Sequence, residues 1–577
     1  MTKKQNPEKE ISELLEDWCA SLVRLQISMP GNKELDGAIL CPACKTIHGR
    51  CHEAVYPLLY TAQKTGNDAY LTAAKKLFDW GENMRCPDGG MRNDAKSEWK
   101  GVTAFAAVSL HDALYYHGAL LSETEKTLWE NRLRDMGEWL YKNLRPETPA
   151  YINYYAANAC AMALLGRFFN REDYLTLAQK EAAYCFRHVS ENGLVYGEGR
   201  PNDAKTKKGC FAIDPGGYNA EETLPCLYRY ASAIGDNAAM ADCKKLFVAQ
   251  IEWMLPDGAW DNSVGTRAFK WTYWGSRTTD GSQEALFSLG REDPVFAEAA
   301  LRNAQLLKRC THNGLLYGGP DYALNGEPAC VHHTFCHAKA LAGALNAGLY
   351  AFSRTALPAD APAPVKRCPE NDTVCLAVGG WRADITGYDF SYMKGDHASG
   401  GALSLLWHEK TGPLIAAGAV DPVLKEPHNQ QLSVRQTEQR CTCPRIETLY
   451  DGVRFGQHYD FGAVISAEET DDRVTVSVKA LLCDENHRSL PENGACTLRY
   501  ELTAQALTVS GGVSPALARQ ARFVLPLIGN GATVKILSGS MPENPLPFFN
   551  LNPGFAGLAY TVLPDETGRF SLRIVVK

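Results

Sequence analysis

The chain has 577 residues, 45% hydrophobic and 22% charged, with a formal net charge of −7. That length exceeds one ordinary core, so two domains are expected. The acidic balance, with no basic stripe, argues against nucleic acid as the partner, and no apolar run reaches the length of a membrane span.

The opening MTKKQNPEKEISELLEDW has no apolar stretch after its lysines. Nineteen cysteines are scattered along the chain, many inside apolar helical stretches such as Cys160, Cys185, Cys226 and Cys243. Both features lead us to expect a cytoplasmic protein with reduced thiols.

Amphipathic helices follow over 8–27, 50–65, 67–85, 101–117, 122–143, 154–169, 171–189, 219–235, 237–254, 281–289, 293–309 and 333–350. Val55, Leu58, Leu59 and Ala62 illustrate the single apolar face. Even-to-odd connections are short; odd-to-even connections are long and rich in Gly, aromatic and charged residues. All the long loops therefore share one end of the array. Asp88-Gly89, Asn192-Gly193, Asp257-Gly258 and Asn313-Gly314 each follow an odd helix, an internal echo of repeated hairpins. Closure of six helical hairpins buries both ends, so the spacing predicts an (α/α)6 barrel over 1–355.

The long loops hold the polar inventory. Before the second helix stand Cys41, Cys44, His48, Arg50 and Cys51. One CxxC with a nearby His suggests zinc, but a ribbon needs a second pair, and none is clear. Before the fourth helix are Arg92, Asn93, Asp94, Glu98 and Trp99; before the sixth, Tyr151, Asn153, Tyr154 and Asn158. The loop before the eighth carries Glu198, Arg200, Asp214 and Tyr218, then Glu221 and Glu222 in the first helical turn. Adjacent positions point about 100° apart, so only one of these glutamates is expected to face the barrel interior. Both also suit a helix N-terminus without further purpose.

The loop before the tenth helix is the richest: Asp257, Trp260, Asp261, Arg267, Lys270, Trp271, Tyr273, Trp274, Arg277 and Asp280. Aromatic faces pack on sugar rings and Arg forks a carboxylate, although the tryptophans also suit a core plug and Asp280 a helix cap. Before the twelfth lie Asp321, Tyr322, His332, His333 and His337. His333 and His337 share a face but lack a third metal ligand nearby. Aromatics, carboxylates and cations gathered where helix N-termini converge suit an acidic sugar.

A Pro/Ala-rich spacer is expected over 356–368. Beyond it the pattern turns to period two, as in Val474, Val476 and Val478 or Leu498, Tyr500 and Leu502. An antiparallel β-sandwich or large sheet over 369–577 follows, completing an α+β multidomain chain.

The runs CPACKTIHGRC, YNAEETLPCLYRYA and WDNSVGTRAFKWTYWGSRTTDG resemble glycoside hydrolase family 154, with a more distant similarity to heparinase-type polysaccharide lyases. The resemblance covers most of 35–350. It implies an (α/α)6 barrel joined to an antiparallel β-region and a β-glucuronidase activity. No catalytic residue is carried over from it.

The expected reaction is therefore exo-hydrolysis of a β-glucuronide by paired carboxylates. Glu222 and Asp261 are the first choices, with Asp280, Glu198 and Asp94 in reserve. His48, Arg267 and Arg277 would hold the uronate carboxylate. Arg50, Asn153, Tyr218, Lys270, Trp271, Trp274, His332 and His333 complete the binding set. No cofactor and no metal are expected, and a homo-oligomer through the β-domain is. Two alternatives stay open: a uronate lyase using Asn153, Tyr218, Tyr273 and His332, and a non-catalytic carbohydrate-binding protein.

Overall fold

The structure, a computed structural model, describes residues 4–148, 150–198, 203–418, 431 and 441–577. It divides into two units. The first comprises Met1–Glu198, Pro215–Trp260 and Trp274–Ala359. The second holds a stretch ending at Asp214, the segment Asp261–Tyr273 and Asp360–Lys577.

Among the described residues, the first unit contains twelve α-helices: α1 (Glu8–Arg24), α2 (Val55–Thr65), α3 (Asp68–Trp80), α4 (Thr103–His117), α5 (Glu123–Asn143), α6 (Ile152–Phe169), α7 (Glu172–Arg187), α8 (Leu224–Ile234), α9 (Asn237–Ile251), α10 (Gln283–Leu289), α11 (Pro294–Arg309) and α12 (Val331–Asn346). The even helices form an inner ring. α2 packs on α4, α4 on α6, α6 on α8, α8 on α10, α10 on α12, and α12 returns to α2. Each odd helix backs an even one, and α1 backs α12. This is the closed (α/α)6 toroid that the alternation predicts.

Side-chain chemistry separates the two rings. α6 is rich in Ala and buried along most of its length, as a helix covered on all sides must be. α5 is amphipathic and starts with a capping box, in which Ser122 and Glu125 satisfy each other's backbone N–H groups. The short turns are built from caps. Gly66, Asn170 and Gly235 end α2, α6 and α8 in the left-handed region. Asn67, Asp236 and Asp293 then accept the first N–H groups of α3, α9 and α11.

The sequence echo after the odd helices is a repeated small hairpin. Arg85 bridges Met91, Val189 bridges Val195, Met254 bridges Trp260, and Thr311–His312 pairs with Leu315–Leu316. The turn glycines Gly89, Gly193, Gly258 and Gly314 all have positive φ. Each lies against the next outer helix, at Asp135 of α5, Ala249 of α9, Arg302 of α11 and Asp17 of α1, leaving little or no room for a Cβ. The last hairpin thus grips the first helix, closing the outer ring as α12 and α2 close the inner one.

Among the described residues, the second unit contains three antiparallel sheets. One is a meander of Val365–Cys368, Thr373–Val378, Trp381–Thr386, Ala402–His408 and Gly412–Ala416. Another orders Val464–Glu469, Arg473–Leu481, Ala495–Thr503, Leu507–Val513, Arg569–Val576 and Ala532–Ser538. The third orders Leu546–Asn550, Phe555–Val562, Arg522–Ile528, Arg445–Tyr450 and Val453–Gly456. Period two places Val474, Val476 and Val478 opposite Leu502, Tyr500 and Leu498, all buried. Trp381, Leu406, Phe523 and Leu572 share their core. The end of the expected spacer, Val365–Cys368, is itself a strand. A tight turn at Asp372, with φ of 45°, folds it onto Thr373–Val378.

All nineteen cysteines are free thiols. No described helix is long and apolar enough to cross a membrane.

Candidate functional site

The long connections deliver polar residues to the N-terminal ends of the inner helices. The eighth begins unusually: Pro215–Thr223 forms a π-helical turn that runs directly into α8. Such turns place side chains differently from an α-helix and recur at functional sites. Here both Glu221 and Glu222 are buried and both line the interior cavity, rather than one alone as α-helical geometry predicts.

Their partners differ. Glu221 accepts from Ser276 N at 2.6 Å and Thr279 Oγ1 at 3.0 Å, with His337 Nε2 at 3.4 Å. It presses on Gly275, where a Cβ would collide with the carboxylate. Glu221 is thereby a structural brace for the segment entering α10. Glu222 instead accepts from Asn153 Nδ2 at 2.5 Å. Asn153 sits in the first turn of α6, which starts two residues earlier than periodicity predicts, and α6 packs on the π-turn. Asn153 Oδ1 is buried without a hydrogen-bond partner among the described residues. Tyr218 lies four residues before Glu222 on the same turn, also buried. Four residues are close to one turn of an i→i+5 helix, so Tyr218 and Glu222 share a face.

An ion quartet, three of its members buried and Asp280 half-buried, stands beside them. Arg50 clamps Glu53 through Nε–Oε1 at 2.6 Å and Nη2–Oε2 at 2.8 Å. Lys339 of α12 also bonds Glu53. Asp280 pairs with Arg50 at 3.2 Å and with Lys339 at 2.7 Å. Burial pushes the Glu53 carboxyl up, but Arg50 and Lys339 outweigh it and hold it at about 2. Two acids thus balance two cations.

Inside the ring, a cavity lined by Tyr56, Asp112, Glu222, Arg229 and Glu284 has about 50 Å³ for the centres of water-sized molecules. That suffices for a few waters and not for a sugar ring. Arg229 crosses it, meeting Asp112 at 2.6 Å and Glu284 at 3.5 Å. Ion pairs therefore line the interior of the toroid.

Trp274 is fully buried, its indole N–H donating to Tyr317 O at 2.8 Å and its ring edge-on to His333 and His337. His332 stacks on Phe335 and lies 5.3 Å, between ring centroids, from His48. His332 and His333 are buried, which draws both imidazoles well below their usual range. Glu198 and Arg277 are buried as well. Asp94 is half-buried and accepts from Lys96 N at 2.8 Å within its own loop. Arg200 lies outside the described residues.

The remaining candidates belong to the second unit. Asp261 accepts from Ser263 N and Oγ at 3.0 and 2.6 Å. Arg267 lies over the Tyr392 ring, and Lys270 approaches Trp271. Asp214 Oδ1 accepts from Arg267 N at 2.9 Å and Trp271 Nε1 at 3.1 Å. Burial raises the Asp214 carboxyl from 3.8 to about 6 despite the nearby Arg267. A raised carboxyl favours the folded state when protonated. Its stabilisation is complete below the unfolded value and disappears as pH rises through about 6. We expect Asp214→Asn to remove about 3 kcal/mol of pH dependence over that window, because Asn still accepts both bonds. Urea denaturation across a pH series measures it; parallel curves for the two proteins would refute it.

Glu53, Lys339 and Cys330 escaped sequence reasoning. The signal for the first two was a charge inside an apolar helical run, CHEAVYPLL and HAKALAGAL. A charge there must be paired or costly.

The family profile described as Ulvan lyase N-terminal domain matches residues 15–359, and Ulvan lyase C-terminal domain matches 365–540. A broad-specificity ulvan lyase of Formosa agariphila is 37% identical over 528 residues, covering 89% of this chain and 82% of that protein. The heparan sulfate lyase HepC of Pedobacter heparinus, as a mutant, aligns with TM-score 0.47 and 11% identity over 99% of this chain and 83% of its own. The α-1,6-mannanase GH76A of Salegentibacter sp. HEL1_6 aligns with TM-score 0.43 and 15% identity over 59% of this chain and 99% of its own. The two family profiles and the 37% identical ulvan lyase overturn the expected membership of glycoside hydrolase family 154, and with it the β-glucuronidase and glycosidase assignments. The three runs behind that expectation build a Cys–His cluster, the π-turn and segments around the buried Trp271 and Trp274. They build buried structure and do not specify the bond that is broken. With both halves of the chain matched, the protein belongs to the ulvan lyase family.

Proposed function

We propose that the chain is a polysaccharide lyase that cleaves an acidic, uronate-containing polysaccharide of the ulvan type by β-elimination. Family membership across both halves carries this assignment. The Asn153–Glu222 pair beside Tyr218 gives it a chemical form. Asn has two amide hydrogens. Glu222 takes one, orienting the other toward the substrate carboxylate and easing build-up of charge on it. Tyr218 removes the proton on the carbon next to that carboxylate. The electron pair forms the C4–C5 double bond, the bond from C4 to the leaving oxygen breaks, and that oxygen receives a proton. No hydrolytic water enters.

The test is incubation of the purified chain with an ulvan-type polysaccharide. Elimination produces unsaturated uronate ends and rising ultraviolet absorbance. Depolymerisation without that absorbance, or no depolymerisation of any polyuronate, would defeat the assignment.

A further inference from the structure

Cys41, Cys44, His48 and Cys330 each offer one ligand atom, and these four atoms lie within 4.8 Å of one another. Cys330 Sγ is 3.7 Å from Cys41 Sγ, 3.7 Å from Cys44 Sγ and 3.3 Å from His48 Nε2. These separations are too long for a disulfide, whose sulfurs sit about 2.05 Å apart. They match the edges of a tetrahedron instead. Zinc–sulfur bonds of about 2.3 Å at tetrahedral angles put sulfurs about 3.8 Å apart.

The backbone is shaped for the same purpose. Cys41 and Cys44 flank a tight turn in which Cys44 N–H points at Cys41 Sγ from 3.3 Å. An N–H aimed at sulfur stabilises a thiolate. Lys45 adopts φ of 55° and bonds back to Cys41 O, and Leu40 bridges Ile47, so the turn is a closed knuckle. His48 follows directly. Cys330 stands at the N-cap position of α12, 286 residues beyond Cys44. The CxxC lacked a second pair in sequence; the missing ligands are one imidazole and one remote thiol.

We propose that Cys41, Cys44, His48 and Cys330 bind one Zn²⁺ in a closed structural site. Binding displaces the three thiol protons, and all four positions are filled by protein, which leaves none for substrate. The metal would tie the loop before α2 to the start of α12, where the inner ring closes.

The experiment is metal analysis of the full chain purified under reducing conditions without chelator, with cobalt substitution. We expect about one zinc per chain, and after exchange a Co²⁺ spectrum with thiolate charge-transfer bands and intense tetrahedral d–d bands. Cys330→Ala should lower bound zinc to near zero. Cys336→Ala, which removes a buried thiol outside the cluster, should retain it. If Cys330→Ala fails to fold, the wild-type zinc content and cobalt spectrum decide alone. A metal-free wild type that takes up no Co²⁺ with thiolate bands would overturn the proposal. So would full zinc retention by folded Cys330→Ala, or a disulfide between any two of these cysteines.

Discussion

Tyr218→Phe is expected to reduce kcat on a polyuronate by roughly 10²- to 10⁴-fold, the range for loss of a positioned proton-transfer group. Phe keeps the ring, so packing in the π-turn survives and KM should change little. Glu222→Gln is expected to cost much less, about tenfold, because its amide oxygen still accepts from Asn153 and preserves the orientation of α6's first turn. The order of the two effects is the informative quantity. Steady-state kinetics with ultraviolet detection of the unsaturated product measures both. If Glu222→Gln were the more damaging change, Glu222 would itself be transferring protons, and the roles given to Asn153 and Tyr218 would fall.

Glu53→Ala carries the largest expected loss of stability. Glu53 is fully buried and binds Arg50 and Lys339 at once. Deleting it leaves two buried cations facing the half-buried Asp280 alone. Breaking a buried ion pair from one side costs about 3–5 kcal/mol. Glu53→Ala/Lys339→Met should recover part of that loss, since one cation then faces one acid. Urea midpoints of the three proteins test this, and a double variant as unstable as Glu53→Ala alone would contradict it. The pH dependence has the opposite sign to that of Asp214. The Glu53 carboxyl is held down, so its contribution is present above the ordinary carboxylate range and is lost as pH falls through about 2.

The toroid was legible because connection length and turn chemistry are local properties. Gly66 and Gly235 announce the left-handed caps, and Asp88-Gly89 with its three echoes announces the hairpins. The sheets were legible through alternation such as Val474, Val476 and Val478. What stayed hidden depends on separation along the chain. Nothing near Cys41 indicates that Cys330 is its neighbour. Nothing in the loop before α10 shows that Asp261–Tyr273 groups with the β-rich unit while Trp274 stays with the helices. The carboxylates were chosen by loop richness, and nothing in that loop shows that Asp280 pairs with Arg50 and Lys339. The reaction class was misjudged for the same reason. Runs that build buried turns and clusters carry no mark of whether a bond is hydrolysed or eliminated.

The hairpins that grip the neighbouring outer helix, with Gly314 returning to Asp17 on α1, have a consequence for how such a chain diversifies. An open solenoid can lengthen by adding a repeat at either end. A sealed ring has no free berth: a seventh hairpin finds its dock taken, and loss of one leaves a gap facing solvent. Repeat number is therefore frozen, while the cost of enlarging a surface loop grows only slowly with its length. New substrate preferences in this lineage should arise as insertions and substitutions along one rim, on a hexagonal frame that hardly changes.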